Sequence, residues 1–355
     1  MKIGIITFHS AHNYGAILQC YALQEFLKTY GHNVHVIDYN LKEINKYYKW
    51  FDIARFKTRH LKTIIKECLI LPQRRRRYVG FNRFKHTYLN LFSSNCECQN
   101  YFDLVIIGSD QVWNINLTGG FDSFYWGKSI DVSQTKLISY AASMEEYWGE
   151  PKDKIASTLL KRFSSISVRE ESLKGIISNL LPLRRVDVCV DPTLLLAPNL
   201  WEKLSTNIYN NKPYLLLYQV RSSKKVYDYA KSVAKSKGLK LVCLSAAVGA
   251  KNTYHIAGAS PSDFIGLFKN ASFVIATSFH GTIFSLLFHK EFITLKLGDG
   301  KDSRYSELLC QLDLLSRLKG INEELNNCES IDYDVVDKKI QEMKESSVKY
   351  LEQFL

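Results

Sequence analysis

The chain has 355 residues, 46% apolar, 13% aromatic and 23% charged, a globular composition that excludes disordered, collagen-like and coiled-coil molecules and suggests about two domains. No apolar run approaches the roughly 18 residues that span a bilayer, and Met1–Phe8 is too short for a secretory signal, so a cytoplasmic protein is expected. The net charge of +12 is uneven: residues 41–90 carry 14 basic residues, including Arg74–Arg77, against three acidic ones.

Ile3–Phe8 reads as a buried strand. After the polar loop His9–Tyr14, the spacing of Ile17, Leu18, Tyr21, Ala22, Phe26 and Leu27 is helical until Gly31 stops it. Val34, Val36 and Ile37 make the next strand, completing a βαβ unit with parallel strands and a right-handed crossover. Residues 41–92 are predicted as a basic, mostly helical insertion, in which Trp50, Phe51, Phe56 and Leu61 alternate with charges. Three readings are open for it: a solvated helical face, a grip on nucleic acid, or peripheral contact with an anionic membrane face or a lipid-linked substrate. No helix-turn-helix, zinc-finger or RNP pattern accompanies it, so nucleic acid is not expected as a partner.

Asp103–Ile107 is a strand ending in Gly108-Ser109-Asp110. Leu137–Ala141 and Ser164–Val168 are further strands, Arg169–Leu180 is helical, and Val186–Val190 is a strand closed by Asp191-Pro192. Ala197–Lys212, polar and bounded by prolines, reads as the linker. A second series follows: strand Leu215–Val220, helix Lys224–Lys237, strand Leu239–Leu244, helix Pro261–Lys269 capped by Ser260, strand Phe273–Ala276, helix Thr282–Phe288 and strand Phe292–Leu295. The tail Val335–Phe354 is an amphipathic helix. The predicted class is α/β: an N-terminal domain over 1–196 with its insertion at 41–92, a C-terminal domain over 213–330, and a terminal helix over 331–355. Two Rossmann-like, doubly wound domains facing across a cleft would meet ligands at the carboxyl ends of their strands.

The eight cysteines are scattered, and the one close pair, Cys96 and Cys98, lacks the partners of a zinc shell, so most read as buried reduced thiols and no metal is expected. There is no GxxxxGK[ST] loop, no GxGxxG after the first strand, no HExxH and no GxSxG, which counts against ATP hydrolysis, classical dinucleotide redox and serine hydrolysis. Four polar clusters at strand ends remain. Around Asn13, Tyr14 and Gly15, a helix begins whose N–H groups and dipole attract anions, although helix capping explains the same residues. Ser109 and Asp110 stand where a carboxylate accepts a sugar hydroxyl or acts as a base, unless Asp110 is an N-cap and Trp113 core. Arg169, followed by Glu170, either offers a planar fork to a carboxylate or phosphate, or pairs with Glu170 or Glu171. Ser278, His280, Gly281 and Thr282 open a helix where a histidine donates a proton or binds an anion and the glycine admits a ligand.

Read together, these clusters resemble the polysaccharide pyruvyl transferase family. The resemblance rests on Ile3–Phe8 with His12–Ala16, Asp103–Asn114 (DLVIIGSDQVWN), Tyr140–Ser143, Ser167–Ser172 (SVREES), Asp191-Pro192-Thr193, Ser278–Thr282 and Asp302-Ser303-Arg304, in that order over residues 1–317. It implies a fold similar to GT-B glycosyltransferases and transfer of a pyruvyl group from phosphoenolpyruvate to two hydroxyls of a sugar in a surface or capsular polysaccharide precursor. The products would be a cyclic ketal and phosphate, with no cofactor besides the donor substrate. Some members carry Arg-x-His where this chain has Ser278-Phe279-His280; the departure removes a donor cation, for which Arg304 is the candidate substitute. The expected catalytic residues are His280 as acid or phosphate partner, Arg169 as anion ligand, and Asp110 or Glu170 as base; Asn13, Tyr14, Gly15, Ser109, Ser278, Gly281, Thr282 and Arg304 are expected to bind substrate. The rival readings are a glycosyltransferase with a nucleotide-sugar donor and a non-catalytic carbohydrate or nucleic-acid binding module.

Overall fold

The computed structural model describes residues 1–39, 41, 61–94, 101–145, 147–210, 213–220, 223–245, 254–298, 302–323 and 329–355. Its chain divides into two compact units. One contains the chain up to residue 41 together with residues 85–196 and 340–355; the other contains residues 61–84 and 197–339. The division departs from the expected domains in two places. Most of the described basic helix groups with the second unit, and the terminal helix begins in the second unit and ends in the first. The predicted aromatics Trp50, Phe51 and Phe56 lie outside the described residues, as do Cys96 and Cys98.

The first unit is built on β1 (Lys2–Ile6), α1 (Tyr14–Lys28), β2 (Asn33–Asp38), the end of α2 (Leu61–Tyr88), β3 (Leu91–Ser93), β4 (Leu104–Ile107), the short α3 (Ile115–Thr118), β5 (Lys136–Ser139), α4 (Lys152–Leu160), β6 (Ile166–Val168), α5 (Glu171–Leu180) and β7 (Val186–Val188). Five strands form a parallel sheet in the order β3-β2-β1-β4-β5, and β6 pairs with β7 in parallel. Single bridges from Ile138 to Ser165 and from Ala142 to Val168 place β6 beside β5. The strand sequence Leu-Val-Ile-Ile of β4 is buried along its whole length, as expected for a parallel sheet covered on both faces. Trp113 and Trp126 stack in the core with ring centroids 5.5 Å apart. β5 stops two residues before its expected end because Ala141 takes a φ of +46° and turns the chain into isolated bridges.

The second unit opens with α6 (Pro198–Leu204), followed by β8 (Tyr214–Tyr218), α7 (Lys224–Ser236), β9 (Lys240–Leu244), β10 (Tyr254–Ile256), α8 (Pro261–Asn270), β11 (Phe273–Ala276), α9 (Phe279–Leu287), β12 (Glu291–Lys296), α10 (Ser303–Gln311), β13 (Leu318–Gly320) and the start of α11 (Tyr333–Glu352). Its six strands are all parallel, in the order β10-β9-β8-β11-β12-β13. The expected linker is thus partly a helix, with Trp201 buried against Phe284. Ser260 caps α8 in a reciprocal box with Asp263. Both units therefore repeat one winding, with the first strand central and the next two to one side, the doubly wound α/β arrangement.

Candidate functional site

In a doubly wound sheet, the loops leaving the two strands at which the order reverses diverge and open a crevice at the carboxyl edge. The reversal falls between β1 and β4 in the first unit and between β8 and β11 in the second. The clusters at 13–15 and 109–110 stand at the first reversal, and 278–282 at the second. Arg169 and Glu170 end β6, further along the first sheet.

At the first reversal the two loops are tied together. Thr7 Oγ1 donates to the Ser109 carbonyl (2.8 Å) and accepts from Gln19 Nε2 (2.9 Å). Gly108 has a φ of +109°, and a Cβ there would lie 2.6 Å from the Tyr140 carbonyl oxygen, so only glycine ends β4 this way. Asp110 follows with a φ of +71°, sparsely populated for a residue with a side chain. Its Oδ1 accepts from the Gln111 N–H at 2.9 Å. Trp113 is core, and the N-cap of α3 is Asn114 rather than Asp110. Ser109 is fully buried, and its Oγ has no hydrogen-bond partner among the described residues. An unmatched buried hydroxyl marks a position that a further group can complete. Asn13, by contrast, is a helix cap: its Oδ1 accepts from the N–H groups of Gly15 (2.9 Å) and Ala16 (3.4 Å). Tyr14 is buried with only 1% of its surface exposed. Capping, the other reading of 13–15, thus accounts for the Asn13 Oδ1 and the Gly15 N–H.

The geometry also corrects the expectation for Arg169. Its side chain is buried, with Nε on Glu170 Oε1 (2.8 Å), Nη1 on Asp191 Oδ2 (2.8 Å) and Nη2 on Ser143 Oγ (3.0 Å). Ser143 Oγ in turn donates to Glu170 Oε1 at 2.9 Å, and Asp191 Oδ1 accepts from Thr193 N–H and Oγ1. The planar fork is directed at internal carboxylates, as a buried guanidinium requires. Burial opposes its charge, but the attraction of Glu170, Asp191 and Asp110 outweighs it and holds the guanidinium protonated above its usual range. Two carboxylates against one cation, with Asp110 adding to the field, leave this edge net acidic. Ser143 and Asp191, which carry the family resemblance, complete this network as partners of Arg169. In the sequence they are polar residues two positions past the expected strand Leu137–Ala141 and one past Val186–Val190.

At the second reversal Ser278 caps α9, its Oγ accepting from the Gly281 N–H at 3.1 Å. A Cβ on Gly281 would lie 2.7 Å from Ala276 Cβ and 2.9 Å from Tyr218 Cδ1. The glycine therefore permits close packing of α9 on β8 and β11. Thr282 is fully buried, bonded to Thr294 Oγ1 (2.7 Å) and the Ser278 carbonyl (3.1 Å), so it is structural as well. His280, partly exposed, stands in the first turn of α9 with its ring edge-on to Phe279 at 5.4 Å. Thr277, which the sequence reasoning passed over, ends β11 with 7% exposure and an Oγ1 that has no hydrogen-bond partner among the described residues. Arg304 is half-buried in the first turn of α10, which packs on α9. Asp302 braces the loop after β12 by accepting from Leu297 N–H (3.2 Å) and Gly298 N–H (2.9 Å). His280, Thr277 and Arg304 thus share one sheet edge with the positive end of a nine-residue helix.

Among the described residues, no three His, Cys, Asp or Glu side chains gather as metal ligands would, and no helix is long and apolar enough to cross a membrane. Cys20, Cys189 and Cys243 are buried, and burial pushes the last two up to about 12, leaving them inert as thiols.

Several solved structures resemble this chain in outline. The UDP-GlcNAc 2-epimerase from Methanocaldococcus jannaschii shares 11% identity with a TM-score of 0.49, over 97% of this chain and 93% of that one. The Neisseria meningitidis UDP-GlcNAc 2-epimerase bound to UDP-GlcNAc shares 12% identity at a TM-score of 0.48, over 100% and 93%. A Listeria monocytogenes protein described as a UDP-N-acetylglucosamine 2-epimerase shares 11% at 0.48, over 98% and 90%. No protein of curated description matches the sequence. The sequence model of the family described as polysaccharide pyruvyl transferase matches residues 13–298, a span that contains β4, the second strand-order reversal and the Arg169 network. The chain is a transferase and belongs to the polysaccharide pyruvyl transferase family.

Proposed function

We propose that the enzyme moves a pyruvyl group from phosphoenolpyruvate to two hydroxyls of a sugar in a surface or capsular polysaccharide precursor carried on a lipid. The observation that supports this assignment most is the difference in charge between the two reversals. The second unit gathers a helix N-terminus, His280, Arg304 and the unmatched Thr277 hydroxyl, a set suited to a small molecule bearing phosphate and carboxylate. The first unit presents Asp110, Ser109 and the acidic Arg169 network, a set that accepts hydroxyl protons and disfavours a dianion.

The chemistry needs one acid and one base. The first sugar hydroxyl gives its proton to the base as its oxygen bonds to the enol carbon, while the acid delivers a proton to the neighbouring methylene, making a methyl group. The second sugar oxygen then displaces phosphate at the same carbon, and its proton leaves with the phosphate or a base. His280 is assigned as the acid that protonates the methylene or as the partner of the phosphate. Asp110 is the better base of the two candidates, since the Glu170 carboxylate is engaged by Arg169 and Ser143. The donor is a substrate, and the balanced reaction requires no redox cofactor.

The assignment is tested by incubating the purified enzyme with phosphoenolpyruvate and a panel of lipid-linked glycans. Acceptor-dependent phosphate release, with a glycan mass increased by a pyruvyl ketal, is expected. Release of a nucleoside diphosphate from a nucleotide sugar, without turnover of phosphoenolpyruvate, would replace this reading with glycosyl transfer.

A further inference from the structure

The outer face of α2 has no role in either strand-order reversal. On its inner face, Ile70, Phe81 and Phe84 are buried. Gln73 Oε1 accepts the Ala257 N–H at 2.8 Å, and a Cβ on Gly80 would lie 2.7 Å from Ser260 Cβ. These contacts hold the helix close to the loop between β10 and α8, in the same unit. A face turned away from that loop carries Ile65, Cys68, Leu69, Pro72, Val79 and Arg83, which fall at helical spacing in one stripe, and the exposed Arg76 borders it, its Cβ beside Gly258. Leu69 is 70% exposed, Ile65 53% and Val79 45%. Arg75 flanks the stripe and is also exposed.

We infer that this stripe docks on an anionic lipid bilayer, lying in the plane of the headgroups. Two observations choose the occupant. The helix Leu61–Tyr88 carries eight Lys and Arg against Glu67 alone, which complements a negatively charged leaflet at about 1 kcal/mol per cation near the surface. Exposed leucine, isoleucine and valine among the arginines suit insertion at the boundary of headgroups and acyl chains; nucleic acid offers them nothing comparable. Docking requires no particular donor or acceptor, so it stands independently of the proposed reaction.

The test is sedimentation of the full-length enzyme with vesicles of phosphatidylcholine alone and of phosphatidylcholine mixed with phosphatidylglycerol. Binding to the mixed vesicles alone is expected. Arg75→Gln with Arg76→Gln should weaken it about 30-fold, roughly fivefold per cation, and Leu69→Ser about fivefold. Both variants alter exposed positions, so thermal unfolding should match that of the parent chain. Equal binding to neutral vesicles, or anionic binding indifferent to Leu69→Ser, overturns the inference. So does a pattern in which the arginine variants lose affinity for duplex DNA or alter self-association while vesicle binding is unchanged.

Discussion

The two units wind their sheets in the same order yet finish their carboxyl edges with opposite chemistry. In the first, the β6 edge is held by a buried ion network in which Glu170 and Asp191 share Arg169. In the second, the β11 edge is held by backbone capping and hydroxyl pairs, Ser278 on Gly281 and Thr282 on Thr294, and the first turn of α9 carries no acidic residue. Identical topology thus supplies two crevices, and the side chains one or two residues past each strand end decide which charge each receives.

The largest effect should come from breaking the ion network. Arg169→Ala leaves two buried carboxylates without their cation and should cost about 3–5 kcal/mol in denaturant unfolding; a variant of parent stability would show that the network is not structural. His280→Ala should lower turnover by about 10²–10⁴ with an unchanged unfolding midpoint, since the side chain is only partly buried. Comparable turnover in that variant would remove the histidine from the chemistry. Gly281→Ala sharpens the contrast from the packing side: the added methyl meets Ala276 and Tyr218 and should cost about 1–3 kcal/mol, measured by thermal unfolding. Ser278→Ala removes one cap and should cost about 1 kcal/mol. A negligible loss there would mean that the helix terminus is held by packing alone.

Much of this was legible in the residues. The apolar runs Ile3–Phe8 and Asp103–Ile107 fall on β1 and β4, and the glycine stop at Gly31, which has a φ of +77°, follows α1 as expected. The three-residue strands β3, β10 and β13 were not legible, because a run that short shows no period; β6 and β7, equally short, lie within the longer expected strands Ser164–Val168 and Val186–Val190. Nor could spacing show that Arg169 would be buried beside Asp191, 22 positions later, since ion pairing across β6 and β7 depends on their parallel register. Gly281 was read as ligand access because a βα turn with glycine looks alike whether a phosphate or a tyrosine ring approaches it. Thr277 left no sequence mark, because a threonine after a strand is ordinary until its hydroxyl is found unmatched.

The division of labour between the two edges is tested most directly by phosphoenolpyruvate affinity, measured by calorimetry on parallel variants of each unit. The account predicts that Arg304→Ala weakens donor binding about tenfold or more, as loss of a charge-assisted contact does, while Asp110→Asn leaves it unchanged or tighter. Loss of donor affinity in Asp110→Asn with normal affinity in Arg304→Ala would contradict it.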